Sequence, residues 1–169
     1  MLRQIAETVP VSQITSPKIQ KVLKNMREAL TSQYDGVAIA APQIGVSLRI
    51  FIVSGRIFLP EFIQGKELET ISEPENIKHF IFINPKIKKL SRKTDFMPEG
   101  CLSVKWLYGK VRRSTNATIE AYDEKGKKFV RGAGGLLAQI FQHETDHLNG
   151  VLFIDKAKDI KEELPKNFK

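Results

Sequence analysis

The stretch GLLAQIFQHETDHLNG, residues 135–150, decides how the rest of the chain is read. Leu136, Leu137, Ile140, Phe141, Glu144, His147 and Leu148 recur at helical spacing, which predicts a helix with these residues along one side. Gly150 stands where a helix commonly ends in a left-handed residue. Inside the stretch, His143-Glu144-Thr145-Asp146-His147 is an HExxH sequence. Residues four apart differ by about 40° around a helix axis, so both imidazoles leave the same face. Two neutral imidazoles so placed can grip one divalent ion, and Glu144 can serve a nearby water as general base and then general acid. The competing reading is a pair of helix-surface histidines. Against it, Ile140, Phe141 and Leu148 place this part of the helix in the interior, where two histidines and two acids are costly unless paired or metal-bound.

A catalytic ion takes three protein ligands and keeps one position open. The longer pattern HExxHxxGxxH would draw its third ligand from the last position, but Phe153 stands there. The downstream acids Asp155, Asp159, Glu162 and Glu163 lie in or near a charged tail that leaves little room for a second helix. Cys101, the single cysteine, is the remaining soft donor, and as a thiolate it suits iron or zinc. Taken alone it reads more readily as a small buried hydrophobe, with a nucleophile as a third reading. Without a second cysteine no internal disulfide forms.

Working towards the N-terminus, 117–122 alternates as a strand, Asp123 to Gly126 makes a turn, and Lys128 to Arg131 returns as a hairpin. EGCLSV, residues 99–104, is a short stretch after the turn signal Met97-Pro98. Phe80–Ile83 and Leu48–Val53 read as strands, with residues 54–79 between them as a long surface excursion. GVAIAAPQIG, residues 36–45, is small and apolar, and Pro42 argues against an interior strand or helix position there. Residues 16–33 read as a helix capped by Ser16, with Pro17 at its first position and Ile19, Val22, Leu23, Met26 and Leu30 on one face. Strands precede a long helix with no regular βαβ alternation. An α+β fold is expected, with mainly antiparallel sheets packed around a central helix carrying HExxH.

The 169 residues suffice for one compact domain, so 1–169 is expected to be a single catalytic unit. The composition, 41% hydrophobic and 27% charged, is that of a globular chain rather than a disordered one. The formal charge of +8 favours anionic partners such as nucleic acid, a ribosome surface or acidic lipid, without choosing among them. No stretch approaches the roughly 20 apolar residues that span a bilayer. The opening MLRQIAETVPVSQ lacks the basic start and apolar run of a signal peptide, so a reducing, cytoplasmic location is the default expectation.

Three separated segments together resemble the peptide deformylase family. GVAIAAPQ at 36–43 is similar to its GxGxAAxQ motif, EGCLS at 99–103 is its second motif unchanged, and QHETDHLNG at 142–150 fits QHExDHLxG. The resemblance covers most of the chain. It implies that Cys101, His143 and His147 ligate one divalent ion and that Glu144 moves the proton. It also implies that the backbone N–H of Leu102 and the side-chain amide of Gln43 stabilise the oxyanion. The implied reaction removes formate from the N-terminal formyl-methionine of nascent peptides. The expected ion is Fe(II), with Zn(II), Ni(II) and Co(II) as the others that this donor set admits. The peptide would lie extended beside the sheet, as in strand addition. Val37, Met97, Gln139 and Ile140 would line the methionine pocket, with Ala38, Gly100 and Tyr108 also against the substrate.

The chain departs from the family pattern at several of these positions. Ala38 replaces the second glycine of the first motif, and its methyl is expected to narrow the cleft. Lys105 stands where a proline usually follows EGCLSV, Gln139 is more polar than its position often is, and Tyr108 occupies a place where some members carry arginine. The chain also starts late and ends early against the family. Three alternatives remain: a metallopeptidase with a third ligand other than Cys101, a deformylase-like fold kept for binding, and a nucleic-acid-binding module. The last ranks lowest, because no binding signature or aromatic interleaving accompanies the lysines and no specific nucleic-acid site or membrane contact is expected.

Overall fold

The computed structural model describes residues 1–33, 36–65 and 77–164. Helix α1 spans Pro17–Thr31, with the Ser16 hydroxyl accepting from the Ile19 N–H at 3.4 Å. Strands β1 (Ala38–Ala40) and β2 (Ile50–Val53) follow, then the single helical turn α2 (Pro60–Ile63). Next come β3 (Phe80–Leu90), β4 (Thr94–Cys101), β5 (Val104–Ser114), β6 (Asn116–Tyr122) and β7 (Lys128–Gly134). Helix α3 (Gly135–Leu148) leads to the last strand, β8 (Lys158–Glu162). The strands form a five-stranded sheet in the order β1-β2-β3-β6-β7 and a three-stranded sheet in the order β4-β5-β8. Every strand pairing in both sheets is antiparallel, and the fold is α+β.

The larger sheet is buried on both faces where β1, β2 and β3 run side by side. Successive side chains of a strand point to opposite faces. Ile39, Ile50, Ile52, Ile81 and Ile83 therefore meet Ile19, Leu23, Met26 and Leu30 of α1. On the other face Ala38, Ala40, Phe51, Val53 and Phe82 meet Ala138, Ile140, Phe141 and Leu148 of α3. The rings of Phe51 and Phe82 stack at 4.6 Å, and Phe141 meets Phe82 edge-on at 5.1 Å. The unbroken apolar runs IFIV and FIFI are what a strand needs when both of its faces are covered.

Several expectations are corrected. Met97-Pro98 is not a turn but the interior of β4. Strand β4 is an edge strand of its sheet, where the missing N–H of Pro98 breaks no ladder. Strand β3 runs on to Leu90, and β2 starts at Ile50 rather than Leu48. The expected excursion over 54–79 begins in the interior, with Ser54, Gly55, Arg56 and Ile57 buried, while its residues 66–76 lie outside the described residues. Leu136 is not on the buried side of α3 but 39% exposed. The charged tail contributes β8, which pairs with β5 through Tyr108 opposite Lys161 and Lys110 opposite Lys158. All five β8 residues are exposed, so the pairing rests on backbone hydrogen bonds and leaves no apolar alternation to read. No helix among the described residues is long and apolar enough to cross a membrane.

The end of α3 is closed as expected. Gly150 has φ 73°, its N–H reaches the His147 carbonyl, and the Val151 N–H reaches the Asp146 carbonyl at 2.9 Å. A Cβ at this position would come within 2.7 Å of the Arg3 backbone. Gly150→Ala combines left-handed strain of about 1–2 kcal/mol with that clash. It is expected to lower the thermal midpoint by several degrees, measured by circular dichroism.

Candidate active site

The face of α3 made by Leu136, Gln139, Ile140, His143 and Glu144 forms one wall of a cavity of about 380 Å³. Val37, Ala38 and Gln43 form a second wall beside β1, the edge strand of the larger sheet. The end of β4, the β4–β5 turn and the start of β5 form the third. Cys101 ends β4 at the point where it meets α3, and its Sγ lies 3.2 Å from His147 Nε2. One ligand atom from each of Cys101, His143 and His147 falls within 4.8 Å of the others. Residues far apart in the chain therefore present a thiol and two imidazoles to one point.

The imidazole of His143 is oriented by a buried carboxylate. Glu99 Oε2 lies 2.9 Å from His143 Nδ1, and the same carboxylate accepts Arg113 Nε at 2.8 Å and Nη2 at 3.0 Å. Arg113 reaches on to Asp146 at 2.6 Å, and Lys156 holds both Asp146 oxygens at 2.7 and 2.8 Å. Burial works against the charge on Glu99, but the hydrogen bonds from His143 and Arg113 outweigh it and hold the carboxyl at about 2. An ionised Glu99 only accepts, so His143 donates from Nδ1 and turns Nε2 toward the other two ligand atoms.

The field at this point favours positive charge. Burial alone would discharge His143, yet its hydrogen bonds to Cys101 and Glu99 and the nearby Glu144 raise it to about 10. Burial and the charge on His143 instead lower His147 to about 3, which keeps it neutral. Burial pushes Glu144 up to about 7, opposed by the charge on His143. Glu144 Oε2 and His147 Nδ1 are buried without a hydrogen-bond partner among the described residues. A thiol, two imidazoles and an unsatisfied buried carboxylate oxygen in a field that stabilises a cation fit a divalent metal ion.

Gln43 sits on a tight turn over Ala41–Ile44 that ends at Gly45 in the left-handed conformation, φ 81°. Its Oε1 accepts the Ala40 N–H at 2.8 Å, which fixes the amide's orientation. Nε2 therefore faces the site, donating to the Ser103 hydroxyl at 3.0 Å and reaching Cys101 Sγ at 3.7 Å. Leu102 lines the cavity directly after Cys101. Val37, Ala38, Gly100, Tyr108, Gln139 and Ile140 also line it. Gly100 is needed there, because a Cβ would come within 2.8 Å of the Tyr108 ring. Met97 does not line it: the β4 wall begins one residue later, at Pro98.

Sequence reasoning missed the supporting groups. Glu99 and Asp146 stand inside the quoted motifs, where their positions beside the ligands were the available signal. Arg113 carried none, because its partners lie 14 and 33 residues away. Ser103, Trp106 and Leu107 also reach the site or its wall, which only the β4–β5 turn arranges. Arg113→Met would leave Glu99 buried without its bidentate partner. A loss of about 3–5 kcal/mol is expected in urea unfolding, with partial recovery in a double variant that also carries Glu99→Met.

The sequence profile described as polypeptide deformylase matches residues 1–163. The chain is 39% identical over 160 residues to the peptide deformylase of Carboxydothermus hydrogenoformans, covering 95% of this chain and 89% of that one. It is 41% identical over 155 residues to that of Halothermothrix orenii, covering 92% and 87%. The crystal structure of a peptide deformylase from Synechococcus elongatus in complex with actinonin is similar at a TM-score of 0.75 and 32% identity, over 94% of this chain and 74% of that one. The Met-Ala-Ser-bound peptide deformylase of Acinetobacter baumannii is similar at 0.75 and 30% identity, over 92% and 91%. A profile match over residues 1–163 and relatives at this identity across most of the chain mean that the protein belongs to the polypeptide deformylase family of enzymes.

Proposed function

We propose that this chain is a single catalytic domain, built on the HExxH helix, that hydrolyses the formyl group from the N-terminal formyl-methionine of nascent polypeptides. Formate and a free amine are the products. The observation that carries the reading is the convergence of Cys101, His143 and His147 on one wall of a cavity beside Glu144. These three residues would hold one divalent ion, with Fe(II) expected in the cell and Zn(II), Ni(II) or Co(II) able to replace it. When bound, the ion supplies Lewis acidity toward the formyl oxygen and lowers the pKa of water.

The residues of the chain do the rest. Glu144, buried beside His143, takes a proton from the attacking water and returns it to the amide nitrogen as the C–N bond breaks. Gln43 Nε2 and the Leu102 N–H donate to the oxygen on which negative charge develops. Glu99, held by Arg113, keeps His143 in the tautomer that a ligand needs. The edge of β1, with Val37 and Ala38 on the cavity, suits an extended peptide added as a further strand. The Acinetobacter baumannii relative has been crystallised with Met-Ala-Ser bound. A nascent-chain substrate is consistent with the cytoplasm as the enzyme's location, and a charge of +8 suits the surface of a ribosome.

Formate release from formyl-Met-Ala-Ser by anaerobically Fe(II)-loaded protein tests this reading. Glu144→Ala is expected to lower kcat by at least about 100-fold while retaining the ion. Cys101→Ser is expected to reduce bound metal, measured by elemental analysis after dialysis. Protein that holds one ion and releases no formate would overturn the reading.

A further inference from the structure

Gln139 lies one helical turn before His143 on the same face of α3 and lines the cavity between Leu136 and Ile140. Its Nε2 donates to the Pro98 carbonyl at 2.9 Å and to Glu99 Oε1 at 3.3 Å. Both partners are obligate acceptors: one is a backbone carbonyl, the other a carboxylate clamped by Arg113. The amide cannot be turned over without setting oxygen against oxygen, so its orientation follows from the chemistry of its partners. Both N–H groups are committed. Oε1 receives no hydrogen bond from any described residue, and it is not among the buried atoms that lack a partner. It is an accessible atom of the residue, on a stretch of wall where the flanking cavity residues Leu136 and Ile140 are apolar.

A stretch of wall with apolar flanks and one fixed side-chain acceptor treats side chains unevenly. The thioether of methionine has no hydrogen to donate, and it covers the acceptor without replacing the water there. A side chain of similar length ending in O–H or N–H replaces that water with a direct hydrogen bond. We infer that Gln139 admits a second substrate class to this site: N-formyl peptides whose first side chain ends in a hydrogen-bond donor. The inference rests on the deformylation proposed above and adds to it a residue that sets specificity.

Two isomeric side chains isolate the effect. Formyl-5-hydroxynorvaline-Ala-Ser ends in a hydroxyl, and formyl-O-methylhomoserine-Ala-Ser has the same atoms and length with an ether and no donor. The metal-loaded wild type is expected to give a kcat/KM for the hydroxyl isomer at least equal to that for the ether. Gln139→Met is expected to shift this ratio against the hydroxyl by about tenfold or more. Taking a ratio cancels any general loss from removing the hydrogen bond to Glu99. A wild type that favours the ether tenfold, or a ratio that stays within twofold in the variant, would overturn the inference while leaving deformylation intact. Absence of formate from formyl-Met-Ala-Ser itself would instead overturn the deformylation on which it rests.

Discussion

A buried carboxylate with four donors around it holds the site together. Glu99 accepts Arg113 twice, His143 once and Gln139 once, and it is only 6% exposed. An unpaired carboxylate at that depth would be costly, and Arg113, also buried, would be left with Asp146 alone. Burial of Glu99 therefore ties β4, β5 and α3 together where they meet. His143 inherits its orientation from that meeting, and the cavity wall inherits the fixed amide of Gln139.

The large sheet supplies the rigidity that this arrangement needs. Sites held on regular elements are positioned more closely than sites on loops. Here α3 is fixed along its length by Ala138, Phe141 and Leu148 against β1, β2 and β3. The opposite face of those strands is closed by α1, so the sheet is packed from both sides. Cys101 and Gln43 come from two other elements: Gln43 is held by the Ala40 N–H, and its Nε2 ties it to the Ser103 hydroxyl and Cys101 Sγ. The departures from the resembled family pattern, at Ala38, Lys105, Tyr108 and Gln139, all line the cavity, and none is a proposed metal ligand, proton carrier or oxyanion donor. Gln139 also donates to Glu99, the carboxylate that orients His143.

The two long helices, α1 and α3, were legible because their periodicity is long and amphipathic, and Ser16 and Gly150 marked an end of each. Strands β2 and β3 were legible in part: their apolar runs showed where they lie, but β3 continues through KIKKL, where lysines interrupt the pattern. Strand β4 was misread because Pro98 signals a turn in any local reading, and only its edge position makes the proline acceptable. Strand β8 was invisible because a fully exposed strand has no side-chain signature.

What the sequence determined by itself was the chemistry of the donors. HExxH puts two imidazoles on one helical face through the 3.6-residue period, and the three motifs carried the family resemblance. These are properties of residue type and short spacing, which need no tertiary information. What only the tertiary structure decided was everything carried by pairs distant in the chain. The approach of Cys101 to His147, the clamp of Arg113 on Glu99, the exclusion of Met97 from the cavity and the free oxygen of Gln139 are of this kind. Such contacts depend on how two sheets dock on one helix, and hydrogen-bond geometry at 3 Å is set by that docking rather than by any local pattern.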